Sequence, residues 1–447
     1  MAGLPKVSVT VFLVALLSLA LLPPAARAAS RPNILLIVAD DLGYGDLSAY
    51  GCKEFATPHL DALAAGGMRF SSAYVTAPVC GPSRAGLLTG RHQCRFITYE
   101  GNPPPGSKLG VPLELRTLAD YLKGAGYRTS ALGKWHLGET ERHHPQSRGF
   151  DEFYGFLSGM HSYFTTDDPM WGPILRGRQR EALKKYLTFS LADEACAFVG
   201  RSAPEPFFLY LAFNAPHTPL EAPEDYLAKT AHLADPKRRI NAAMILAMDD
   251  AVGRVMAAVR QSGREENTLV MFLSDNGAAL IPGSAENGGS NAPLRGSKAQ
   301  LWEGGIRVPF SVAWKGRIAP GGVTQEPVSS LDVLPTALAA AGLNTDPAWS
   351  LDGVNLLPWL EGGSAPPKRD PLFWKFGKEQ FATRDGNMKR VQVGKEGGVF
   401  NVRQDISETK DLSATRPALA KDLENAWSAW DKGNVQARPA GGKAREH

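Results

Sequence analysis

The chain has 447 residues, 43% of them hydrophobic, with four cysteines and a formal net charge of +4. That length fits two or three domains, or equally one large α/β domain with a small one. The charge is too small to argue for nucleic acid as a partner, and Cys52, Cys80, Cys94 and Cys196, with no C-x-x-C pair among them, argue against a zinc site.

Residues 1–28 read as a secretory signal. Lys6 supplies the positive end, Val7 to Leu22 the apolar stretch, and Ala26-Arg27-Ala28 the small-x-small cleavage site. The apolar run is 16 residues where a spanning helix needs about 20, so a membrane anchor is the weaker reading. Cleavage would remove Lys6 and Arg27 and no acid, lowering the charge from +4 to +2. Export favours paired cysteines, yet the irregular spacing of Cys52, Cys94 and Cys196 prescribes no pairing. No N-x-S/T sequon is present, which favours a bacterial route and a periplasmic or secreted destination.

Apolar, β-rich runs then alternate with amphipathic ones, as expected of a mostly parallel sheet covered by helices. The first strand is predicted over Asn33 to Asp41 and a helix follows, capped by Thr57 and opened by Pro58. Pro82 suits the first turn of another helix, which puts Cys80 at or just before its N-terminus and Arg84 one turn further in. The TLADYLKGAG stretch is a helix ending at Gly124, and Tyr127 to His136 is the second strand. The third is Phe207 to His217; a long helix from Asn241 stops before Gly263, and the fourth strand is Thr268 to Gly277. Ser329 to Gly342 reads as a helix, after which the Pro/Gly-rich Glu361 to Pro371 marks the linker region of a smaller C-terminal unit. All four strands end in polar side chains. In open parallel sheets ligands bind beyond the carboxyl ends of the strands, so these residues are expected to converge on one site.

Asp40 and Asp41 are adjacent at the end of an otherwise aliphatic strand, and Asp275 with Asn276 repeats the arrangement. Neighbouring carboxylates repel, and a hard divalent cation with oxygen ligands resolves that repulsion. Either pair alone favours a turn or a helix cap over a metal site; both together at buried strand ends favour the metal. Lys134, His136 and His217 stand at strand ends too, and Arg295, Lys298 and Arg307 follow in LRGSKAQLWEGGIRVP. Cations and imidazoles around a divalent ion suit an anion with tetrahedral oxygens, a phosphate or sulfate ester. His92, His143, His144 and His161 are assigned to the surface or a substrate rim, and His59 and His232 to helices. Cys80 is open to three readings: a structural thiol or disulfide, a thiolate nucleophile, or the precursor of another group. The thiolate reading meets an obstacle, because a cysteine phosphatase loop has Arg six residues after its Cys and this chain has Gly86 there.

CGPSRAGLLTG resembles the signature of the type I sulfatases, C-x-P-S-R followed by x-x-x-L-T-G, in which the Cys is oxidised to formylglycine. RPNILLIVADDLGYGD, GYRTSALGKWHLG, RGFDEFYGF, NAPHTPL, FLSDNGA and LRGSKAQLWEGGIRVPF follow in that family's order, from Arg31 to about Leu343. The resemblance implies an alkaline-phosphatase-like α/β fold: a large mixed, mostly parallel sheet sandwiched by helices at 29–345, and a C-terminal α+β subdomain at 346–447 with a small antiparallel sheet and a helix. It implies a sulfuric ester hydrolase, matured by a formylglycine-generating enzyme, with calcium ahead of magnesium held by Asp40, Asp41, Asp275, Asn276 and an oxygen of modified Cys80.

By the same resemblance Arg84 and Lys134 steady the hydrated aldehyde, while Lys134, His217 and Lys298 hold the sulfate. Asp275 helps deprotonate the attacking hydroxyl, His217 or Lys298 protonates the leaving alcohol, and His136 serves the step that restores the aldehyde. The implied substrate is a sulfated carbohydrate or an aryl sulfate; His143, His144, Arg148, His161 and Trp171 are rim candidates. Two rivals stand beside it, a formylglycine-dependent phosphonate or phosphodiester hydrolase and a non-catalytic secreted glycan-binding homologue. The C-terminal FNVRQDISE departs from the family's usual wording there and leaves the contacts of that region open.

Overall fold

The computed structural model describes Met1, Gly3 and residues 31–201, 205–283 and 286–439. Apart from Met1 and Gly3, the stretch read as a secretory signal lies outside the described residues.

The four predicted strands form as Asn33–Ala39, Arg128–Lys134, Phe207–Ala212 and Thr268–Ser274. Lys134 is the last residue of its strand; the other polar site residues, Asp40, Asp41, His136, His217, Asp275 and Asn276, lie on the loops just beyond theirs. Together with Glu152–Phe156 they make five neighbouring parallel strands at the centre of a sheet that has ten strands among the described residues. On each flank the next strand is antiparallel, Leu175–Arg176 beside Glu152–Phe156 and Phe310–Ala313 beside Thr268–Ser274.

The first strand shows why the runs are continuously apolar rather than alternating. Ile34, Leu36 and Val38 face one core, Leu35, Ile37 and Ala39 face another, and all six are fully buried. Helices cover both faces, as parallel sheets require. On one side lie Cys80–Thr89, Leu118–Gly124 and Val333–Ala340; on the other lie Leu187–Arg201 and Pro236–Gln261.

The helix signals in the sequence are mostly reproduced. Thr117 caps Leu118–Gly124 in a reciprocal box with Asp120. The long helix starts earlier than its apolar repeat, at Pro236, because Asp235 accepts from the Arg238 N–H at 2.8 Å. Thr57 stands at the cap position of Pro58–Ala65 without capping it; its hydroxyl is taken by Ser48 and Asp61, while Asp249 receives the free His59 and Leu60 N–H groups. His232 lies in a turn after the helix Glu224–Lys229, not on a helix, and its Nε2 meets the Glu54 carbonyl.

The smaller C-terminal unit is a four-stranded antiparallel sheet, Leu372–Phe376, Gln380–Asp385, Met388–Val393 and Glu396–Asn401, backed by the helix Pro417–Asp431. A shared core of Tyr74, Leu301, Trp302, Trp374, Val391 and Phe400 joins it to the large sheet domain. A buried ion cluster lies against that core. The Lys389 ammonium, fully buried, sits 2.9 Å from Glu303 and 2.9 Å from Glu408, and also donates to the Leu301 carbonyl. Burial lifts Glu408 to about 7 despite Lys389, whereas Lys389, Arg307 and Arg384 outweigh burial at Glu303 and hold it at about 2.

Removing the shared ammonium would leave the buried Glu408 without its cation and Glu303 with Arg307 as its remaining ion-pair partner. Lys389→Met is expected to lower unfolding free energy by about 3–5 kcal/mol near neutral pH, measured by urea denaturation. Protonating the two acids relieves the burial cost, so the loss shrinks as pH falls.

Candidate active site

Beyond the carboxyl ends of the parallel strands, the expected residues meet. Asp40 and Asp41 follow Asn33–Ala39, Lys134 ends its strand and His136 lies two residues past it, while His217 and the pair Asp275 and Asn276 come from the other two. Cys80 is the first residue of the helix Cys80–Thr89, whose entire first turn is buried. Its Sγ lies 3.4 Å from Asp40 Oδ1 and 3.8 Å from Asp41 Oδ1.

The charges are paired one to one. Lys134 Nζ donates to Asp40 at 2.6 Å, Lys298 Nζ to Asp41 at 2.7 Å and Arg84 Nε to Asp275 at 2.8 Å. Arg84 also donates to the Lys134 carbonyl at 3.2 Å, which ties the helix to the strand end. His217 Nδ1 donates to the Thr218 carbonyl at 2.6 Å, which turns Nε2 toward Asp41 at 3.5 Å. Asp41 and His136 adopt left-handed backbone, with φ of 59° and 58°, a conformation uncommon outside glycine that is stored where function demands it.

Burial dominates the protonation states. It lifts Asp40 above the usual carboxylate range even with Lys134 beside it. At Asp41 burial is outweighed by Lys298, His217 and Lys134, which hold the carboxyl well below that range. Burial, with Lys134 and Arg84 adding to it, depresses His136 far below the ordinary imidazole value, and burial with Lys298 depresses His217. The Cys80 thiol is pushed far up by burial, so this environment does not favour a thiolate nucleophile.

Three buried atoms in this cluster have no hydrogen-bond partner: Asn276 Oδ1, His136 Nδ1 and Arg84 Nη2, the last 3.8 Å from Asp40 Oδ1. Asn276 spends its amide hydrogens on Asp41 and the Gly277 carbonyl, leaving the oxygen free. A buried orphan acceptor beside two fully buried carboxylates is the donor set of a hard cation. Ligand atoms of Asp40, Asp41, Cys80 and His217 lie within 4.8 Å of one another. With three acids matched by three bases, the site is formally neutral; a divalent ion would give it a net positive charge suited to an anion.

Above this floor opens a cleft of about 280 Å³ lined by Cys80, His136, His217 and Lys298, with Asn102, Pro103, Met160, Trp171 and Ile281 as walls. Trp171 was among the rim candidates. Asn102, Met160 and Ile281 come from loops without periodic pattern, and only the Pro/Gly-rich setting of Asn102 hints at a shaped loop. Asn287, equally silent in sequence, fixes the Asp41 carbonyl from a second loop at 3.0 Å.

Other expectations fail here for visible reasons. His92, His144 and His161 are buried, and each bonds a backbone carbonyl, of Phe373, Gly177 and Gly172 respectively. Arg148 is buried too and serves the carbonyls of Val111, Pro112 and Leu115. Arg307 pairs with Glu303, and Arg295 with Glu396 over the Trp302 ring, so of those three cations Lys298 alone reaches the site. All four cysteines are free, which removes the disulfide reading of Cys80.

Comparison with known proteins agrees with this geometry. A family profile described as Sulfatase matches residues 32–343. N-acetylgalactosamine-6-sulfatase of Canis lupus familiaris is 38% identical over 389 residues, covering 82% of this chain and 72% of its own length. Arylsulfatase A of Bos taurus is 39% identical over 428 residues, covering 89% of this chain and 82% of its own. The crystal structure of Ps i-CgsB in complex with k-i-k-neocarrahexaose superposes with a TM-score of 0.87 at 37% identity, covering 92% of this chain and 95% of the other.

Calcium added to chelator-treated protein is expected to raise the melting temperature, by the equivalent of about 2.7 kcal/mol at a hundredfold excess over Kd. Asn276→Ala should shift the calcium midpoint of that response upward by about tenfold or more, read by scanning fluorimetry.

Proposed function

The chain belongs to the sulfatase family and is a sulfate-ester hydrolase, and from that premise we propose that it removes sulfate from a sulfated carbohydrate. The observation that carries the reading is the pairing of a charged floor holding Cys80 with an aromatic and apolar wall formed by Trp171, Met160 and Pro103. A sugar ring offers one apolar face to such a wall while its ester reaches the floor. Two of the relatives are named with a sugar, one as an N-acetylgalactosamine-6-sulfatase and the other, Ps i-CgsB, in complex with k-i-k-neocarrahexaose.

Calcium, held by Asp40, Asp41, Asp275, Asn276 and an oxygen of modified Cys80, would offset negative charge on the sulfate oxygens. Formylglycine at position 80, made by a formylglycine-generating enzyme, would supply a hydrated aldehyde as nucleophile, with a second hydroxyl available for release. The chain's own groups do the rest. Lys134 and Lys298 bring positive charge to the sulfate, and His217 offers Nε2 from an imidazole whose Nδ1 is fixed by Thr218. Asp275, oriented by Arg84, is the acceptor for the proton of the attacking hydroxyl.

A sugar alkoxide is a poor leaving group and needs a proton. Lys298, whose amine Asp41 holds protonated well above the ordinary range against the pull of burial, is placed on the cleft wall to give it, with His217 beside it. His136, kept neutral by burial and with a free Nδ1, is the base for the release step. Among the described residues no helix is long and apolar enough to cross a membrane. The signal-like N-terminal segment is what supports export to the periplasm or medium.

Purified protein is expected to turn over sulfated mono- and disaccharides, with phosphate and phosphonate esters slower. Faster phosphonate than sulfate turnover would overturn the assignment. Lys298→Ala should reduce kcat by about 10²- to 10⁴-fold, more on a sugar sulfate than on an aryl sulfate with a good leaving group.

A further inference from the structure

Lys298 reaches Asp41 from a segment that the parallel sheet does not hold. It lies on the loop before the short helix Glu303–Ile306, and the next residue, Ala299, is left-handed with φ of 66°. That conformation is unfavourable for a residue with a Cβ, and it persists only where the surroundings over-determine it. On one side the restraint comes from the large domain. Lys298 N–H donates to the Ala278 carbonyl at 3.1 Å, and Ala299 N–H donates to the Pro78 carbonyl at 2.8 Å.

On the other side it comes from the C-terminal sheet. Gln380 Nε2 donates to the Ala299 carbonyl at 3.0 Å, and Gln380 Oε1 accepts from the Leu301 N–H at 3.0 Å. One amide thus spans Gln300, holding the Ala299 carbonyl on one side of it and the Leu301 N–H on the other. Gln380 is itself fixed as the first residue of its strand, paired with Phe376 on one neighbour and Val393 on the other. The Lys389 and Glu408 contacts fall further along the loop, at Leu301 and Glu303.

We propose that Gln380 is a positioning residue for Lys298: an amide of the C-terminal sheet that keeps Ala299 left-handed and so sets where the Lys298 ammonium meets the substrate. Without that grip Ala299 relaxes toward ordinary backbone and its neighbour's side chain swings off the cleft. The C-terminal sheet is then part of the catalytic apparatus although none of its residues lines the cleft.

This rests on the role given to Lys298, and a double-mutant cycle separates the two claims. Gln380→Ala and Gln380→Glu are expected to lower kcat/KM for an aryl sulfate by about ten- to a hundredfold, the scale of a small misplacement of a reacting group. Gln380→Glu preserves the shape and the Leu301 bond but faces the Ala299 carbonyl with oxygen, so it controls for lost packing. Melting temperatures should stay within about 4 °C of the parent. In the Lys298→Ala background, Gln380→Ala should cost nothing further. Parental activity in both Gln380 variants, or losses that multiply in the double variant, would overturn the inference while leaving the site reading intact. Parental activity in Lys298→Ala would instead remove the role of Lys298, and that of Gln380 with it.

Discussion

Three carboxylates and three bases are packed together almost wholly out of contact with bulk solvent, and the placement of the neighbouring groups follows from the need to cancel their charges. An uncompensated buried charge costs several kcal/mol, so each acid here carries its own cation: Lys134 on Asp40, Lys298 on Asp41, Arg84 on Asp275. These pairings bring together groups far apart in the sequence. Arg84 comes from a helix covering one face of the sheet, Lys134 from a strand, and Lys298 from a loop braced by the C-terminal unit. A divalent cation held by this formally neutral cluster would turn it into a site for an anion.

Rigidity is the sheet's contribution. Five parallel strands buried on both faces fix the strand ends, and the groups just beyond them inherit that precision. Left-handed backbone at Asp41, His136 and Ala299 marks where the chain departs from its preferred geometry to aim a side chain. For the first two the sheet is the anchor. For Ala299 part of the anchor lies in the smaller unit, whose buried Lys389 cluster and shared apolar core keep it docked.

Much of this was legible in the sequence, for definable reasons. Aliphatic runs ending in Asp-Asp, Lys-Trp-His, Asn-Ala-Pro-His and Asp-Asn combine strand periodicity with chemistry at the strand end, so both the sheet and its functional edge could be read. Cys80 with Pro82 and Arg84 placed a helix start there. Side chains whose partners are backbone atoms of distant loops were hidden. His92, His144, His161 and Arg148 carry the residue types of a binding rim but spend their hydrogen bonds on carbonyls inside the fold. Conversely Asn287 and Gln380 act through backbone contacts 246 residues and 81 residues away, a relation that no local pattern encodes.

What faces the substrate at position 80 decides between a thiol site and a carbonyl site. Mass spectrometry of the tryptic peptide running from Phe70 to Arg84, taken from active protein and treated with a hydrazide reagent, reads it directly. The expected result is a peptide that has exchanged sulfur for an aldehyde and forms the hydrazone. A free thiol at residue 80 in fully active protein would contradict the mechanism derived from this geometry.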